Sequence, residues 1–131
     1  MAGYSGTPLP KKLGIKEGAR VAVLRGPDGF ALDLPAGATA TTRLGKHADV
    51  VLFFTKSKAE YVKRIDALGK NIFPAGALWV AFPKKASKVP TDMTEHVVRE
   101  VALPLGLVDT KVCAVDEIWT GLKLVWRVER R

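Results

Sequence analysis

A chain of 131 residues, 47% apolar and 26% charged, with one cysteine (Cys113), has the size of one domain and enough apolar content for a core without a staple; an intramolecular disulfide and a cysteine-built zinc site are excluded. The formal charge of +8 is unevenly placed: residues 1–91 hold 15 Lys and Arg against 6 Asp and Glu, a net +9, while residues 92–131 hold 6 against 7, a net −1. Such asymmetry points to an anionic partner.

Residues 1–14, rich in Gly and Pro, read as an N-terminal arm lying over a single domain of residues 15–131, or as a partly mobile one. Met1 to Gly6 carries no basic patch followed by an apolar stretch, so no secretory leader is expected. No apolar run reaches the roughly 20 residues of a membrane span, and the expected location is the cytoplasm. Arg20-Val21-Ala22-Val23-Leu24 reads as a buried strand closed by the turn Gly26-Pro27-Asp28-Gly29. Phe30 to Leu34 is expected to form one helical turn, broken at Pro35-Ala36-Gly37, and Ala38 to Arg43 a weak strand.

Asp49 to Phe54 has the continuous apolar character of a central parallel strand. Ser57 is expected to cap a helix, with Glu60 completing a capping box. Tyr61, Val62, Ile65 and Leu68 form its apolar stripe, Glu60 and Arg64 an i,i+4 pair, and Gly69 its stop. Ala77 to Phe82 is a second apolar strand, followed by a basic loop from Pro83 to Pro90. A second helix is expected from Thr91 or Asp92, with Met93, Val97, Val98 and Val101 buried and Pro104 and Gly106 ending it. Lys111 to Trp119 reads as a strand, Thr120-Gly121 as a tight turn, and Leu122 to Glu129 as the antiparallel return strand. Strands alternating with helices predict an α/β fold: a Rossmann-like, mostly parallel sheet with helices on its faces and a C-terminal antiparallel hairpin.

The order from Ala48 onward resembles the later half of a class I methyltransferase sheet, and Leu13 to Leu24 is similar to that family's lead-in to the first strand. The resemblance implies a Gly-rich turn near Gly-x-Gly-x-Gly after that strand, then a helix and an acidic strand end holding the cofactor ribose. The chain departs at Arg25-Gly26-Pro27-Asp28-Gly29, where Arg25 stands at the strand end and Pro27 lacks a backbone donor. The resemblance therefore implies the fold and argues against the cofactor. Tyr4-Ser5-Gly6-Thr7-Pro8-Leu9, Pro83-Lys84-Lys85-Ala86-Ser87 and the stretch from Pro90-Thr91-Asp92 through Val112-Cys113-Ala114-Val115-Asp116-Glu117 are similar to domain-of-unknown-function family 3052. That resemblance implies a small bacterial protein and brings no activity with it.

In open parallel α/β sheets ligands bind outside the carboxyl ends of the strands. Three basic loops are expected there: Arg25 to Gly29, Thr55 to Lys58, and Pro83 to Lys88. The last two lead toward helix N-termini, which favour anions. The candidate anion site comprises Lys84, Lys85, Ser87, Lys88, Thr91, Arg25, Lys56 and Ser57, with Asp92 expected to compete for the same donors.

No catalytic set, metal site or cofactor is expected. His47 and His96 suggest no pair. Asp116 and Glu117 would point to opposite faces. Trp79, Trp119 and Trp126 read as core, as does Cys113. The expected function is a non-catalytic domain binding an anionic ligand or partner, such as an anionic small molecule or phosphate, at the C-terminal edge of the sheet. The alternative is an S-adenosylmethionine-dependent methyltransferase-like enzyme with a degenerate cofactor motif. Electrostatic nucleic-acid binding is a third reading, disfavoured because the basic loops lack interleaved aromatics. A homodimer through the terminal hairpin edge is open to such a sheet.

Overall fold

The computed structural model describes residues 7–131; Tyr4-Ser5-Gly6 lies outside them. The elements are α1 (Leu9–Lys12), β1 (Arg20–Leu24), β2 (Thr39–Thr41), β3 (Val50–Phe54), α2 (Lys58–Ile72), β4 (Ala77–Pro83), α3 (Glu95–Ala102), β5 (Leu107–Ala114) and β6 (Trp119–Trp126). They build one six-stranded sheet in the order β2-β1-β3-β4-β6-β5. β2, β1, β3 and β4 run parallel, and β6 is antiparallel to both β4 and β5. This is the expected mixed α/β architecture.

β3 and β4 are buried at every position, as unbroken apolar runs require of strands covered on both faces. α2 and α3 cover one face, where Tyr61, Ile65, Leu68 and Ile72 of α2 pack on Val51, Phe53, Leu78 and Val80. Each such fully buried side chain stabilises the fold by about 1.5–3 kcal/mol. Among the described residues, no long helix covers the opposite face. Leu13 and Ile15 of the N-terminal segment cover it, with Phe30, Leu32 and Leu34 from the connection between β1 and β2. The Trp79 Nε1–H donates to the Leu13 carbonyl at 3.0 Å, buried in this layer.

Several local expectations are corrected. Residues 30–34 form no helical turn; Phe30 instead packs edge-on against Phe54, with ring centroids 4.9 Å apart. Gly69 does not end α2, which continues to Ile72. A Cβ at Gly69 would lie 3.2 Å from the Trp126 ring, so the glycine admits a close strand contact inside the helix. α3 is capped by Thr94, whose hydroxyl accepts the Val97 N–H, not by Thr91 or Asp92.

The hairpin turns at residues 115–118 rather than at Thr120-Gly121. There the Asp116 carboxylate accepts the N–H groups of Ile118 and Trp119, each at 2.8 Å. Gly121 lies within β6, where a Cβ would sit 3.1 Å from the Trp79 ring. The return strand ends at Trp126. Among the described residues, no helix is long and apolar enough to cross a membrane.

Candidate functional site

Among the described residues, two that are not glycine hold left-handed backbone, Arg25 (φ 61°) and Lys88 (φ 60°). That conformation costs an L-residue about 1–2 kcal/mol, and such strain gathers where function holds it. Both are cations, and both follow the carboxyl ends of parallel strands, β1 and β4.

The loop after β4 is built from its own polar groups. Lys85–Ser87 form one turn of 3-10 helix. The Ser87 hydroxyl donates to the Lys84 carbonyl at 2.6 Å and accepts the Val89 N–H at 3.2 Å. This fold-back carries Lys84, Lys85 and Lys88 to the rim of a cleft of about 760 Å3 that extends to the start of α3. Phe82 and Met93, each at most 5% exposed, supply its apolar floor. Among the described residues, none of the three lysines forms an ion pair.

Thr91 lines the same cleft, but its hydroxyl donates to the Lys56 carbonyl at 2.7 Å and accepts the Met93 N–H. Glu95 and His96 also line it. Glu95 is held 2.9 Å from Arg99, and His96 lies 3.1 Å from Glu100, an ion pair once the imidazole is protonated.

Among the described residues, the second expected loop does not line this cleft and meets it only through the Thr91 hydrogen bond to Lys56. The Ser57 hydroxyl accepts the Glu60 N–H as the cap of α2. The Lys58 N–H is taken by the Asp92 carboxylate at 2.7 Å. The capping box closes through Thr55, which accepts the Ser57 N–H and donates to the Glu60 carboxylate at 2.6 Å. Glu60 pairs with Arg25 at 2.9 Å rather than with Arg64, whose guanidinium lies 5.6 Å from the Phe53 ring centroid. The structure thus gathers Lys84, Lys85, Lys88 and Thr91 around one cleft. Arg25, Lys56 and Ser57 do not line it, and Ser87 shapes the loop from behind.

The remaining candidates are spent on the fold. His47 Nδ1 donates to the Asn71 carbonyl at 2.8 Å. Burial pushes the Cys113 thiol up, with Lys12 and Lys111 opposing, which keeps it a protonated core residue at neutral pH. Among the described residues, no group of three His, Cys, Asp or Glu side chains is placed to hold a metal ion. Phe82, Met93 and Thr120 of the cleft were not legible as site residues, because each falls in a pattern that reads first as core or turn. Thr94 was not legible as the cap of α3, because Glu95 suits the first turn of a helix begun at Thr91 or Asp92 equally well.

No family model matches the chain, and no curated protein matches it; the resemblance to family 3052 is therefore not shown. Solved structures do match. A SAM-dependent methyltransferase from Aquifex aeolicus superposes with a TM-score of 0.66 at 15% identity, over 87% of this chain and 85% of that one. The M1A22 tRNA methyltransferase TrmK of B. subtilis gives 0.55 at 12% identity, over 95% and 68%. Aeropyrum pernix fibrillarin in complex with S-adenosyl-L-methionine gives 0.53 at 15% identity, over 94% and 70%. At these identities the likeness establishes a methyltransferase-type Rossmann fold.

Proposed function

We propose that this chain is a ligand-binding domain on a methyltransferase-type sheet, taking an anionic small molecule in the cleft between the β4 loop and α3. One observation carries the reading: three ammonium groups without ion-pair partners among the described residues surround a cleft with an apolar floor. Clustered like charges repel one another, and a bound anion relieves that repulsion. The ligand's charged group meets Lys84, Lys85 and Lys88, and its apolar body rests on Phe82 and Met93.

Thermal unfolding with inorganic phosphate and short-chain carboxylates tests this, since a ligand of the native state must raise the melting temperature. Wild type should be stabilised and a Lys84→Ala/Lys85→Ala variant should not. An equal response from both would remove the site.

The solved-structure likenesses favour a second reading, an S-adenosylmethionine-dependent methyltransferase with a departing cofactor turn. A cavity of about 480 Å3, reached from Arg25 and Gly26 after β1 and from Thr41 and Thr42 at the end of β2, is the specific observation behind it. Calorimetric titration with S-adenosylmethionine tests it; the reading falls if no saturable heat is seen.

A further inference from the structure

Open α/β sheets take nucleotides in the crevice where the strand order reverses. Here β2 lies on one side of β1 and β3 on the other, so the reversal falls between β1 and β3. We infer that the polar groups of this crevice are tied to one another, so that the methyltransferase fold works here without an adenosyl cofactor although a cavity of about 480 Å3 adjoins the end of β1, and ligand binding has moved along the sheet to the end of β4. The second half rests on the anion reading above; the first does not.

Four features occupy the groups that would hold a ligand there. Arg25 stands at the end of β1 in left-handed backbone, where the resembled family has glycine, and reaches to within 2.9 Å of Glu60. Thr55, at the end of β3, donates to the other Glu60 oxygen at 2.6 Å, so one carboxylate ties both strand ends together. The α2 amides that face an anion in other nucleotide sites are already occupied. Ser57 N–H goes to Thr55, Glu60 N–H to Ser57, and Lys58 N–H to Asp92. The Asp92 carboxylate takes the place of a bound anion at that helix start.

The ribose and turn positions fare no better. β2 ends at Thr41 and continues into Thr42 and Arg43, with no carboxylate for ribose hydroxyls. No helix separates β1 from β2, and Pro27 offers no N–H to a ligand. The residues present do not fit an adenosyl group.

Amide-resolved NMR of the full-length wild-type protein decides the matter without a variant that could misfold. S-adenosylhomocysteine should leave the amides of Gly26, Thr42 and Lys56 unmoved, while inorganic phosphate shifts those of Lys85 and Lys88. Saturable movement of Gly26 and Thr42 with S-adenosylhomocysteine overturns the cofactor-free crevice, whatever phosphate does. Silence to both ligands overturns the relocation to β4 and upholds the cofactor-free crevice.

Discussion

The Asp92 carboxylate accepts the backbone N–H of Lys58 across 34 positions of sequence, at 2.7 Å. The loop before α3 thereby caps α2, and the two helices share one fixed entry. Asp92→Ala should lower stability by about 1 kcal/mol, the typical worth of a cap, seen as a drop in urea midpoint at constant m-value.

Lys88→Gly separates folding from binding. Glycine holds φ near 60° without steric cost, so the variant should gain up to about 1 kcal/mol and melt a few degrees higher. Its phosphate response should shrink, since one of three rim charges is gone. A lower melting temperature would show that the Lys88 side chain stabilises the loop.

Gly69→Ala should run against the usual trend. In an ordinary helix interior the change stabilises by about 0.5–1 kcal/mol. Here the new methyl meets the Trp126 ring at 3.2 Å and Leu107 at 3.4 Å, and overpacking of this kind costs about 1–3 kcal/mol. The contact also carries the hydrogen bond from Trp126 Nε1–H to the Gly69 carbonyl at 2.8 Å, so tryptophan fluorescence should change along with the urea midpoint.

Arg99 joins α3 to β5 through Asp109, at 2.8 Å. Its hydrogen bond holds the Asp109 carboxyl below its ordinary value of 3.8, with burial opposing. A depressed folded-state pKa means stability present in full above the unfolded value and lost as pH falls through the folded one. The pair is partly exposed, which limits the effect. Asp109→Asn should flatten the loss of stability below about pH 4, the ordinary Asp range, and leave the slope between pH 6 and 8 unchanged, as measured by urea unfolding across pH.

Tyr61 is fully buried, and its hydroxyl donates to the Val98 carbonyl at 2.8 Å, linking α2 to α3. Burial raises its pKa far above the ordinary value, so it remains a neutral donor throughout the accessible range. Tyr61→Phe should cost about 0.5–1.5 kcal/mol, read from the same unfolding midpoint.

The sequence by itself determined the parallel centre of the sheet. Val50 to Phe54 and Ala77 to Phe82 are unbroken apolar runs, and only strands covered on both faces call for that pattern. Ser57 as the cap of α2 and the three lysines of the β4 loop were equally legible, because a cap and a charged loop are local facts. What tertiary structure alone decided is who partners whom. Glu60 turned to Arg25 rather than to its helical neighbour Arg64, Asp92 capped a distant helix instead of starting its own, and Gly69 and Gly121 proved to be clearances for Trp126 and Trp79 rather than a stop and a turn. Each outcome depends on a group brought near by folding, and a hydrogen bond or a van der Waals contact has no sequence range. The excess positive charge, a single figure in the composition, was divided in the same way: Arg25 is tied to Glu60 at the end of β1, and Lys84, Lys85 and Lys88 stand around an open cleft.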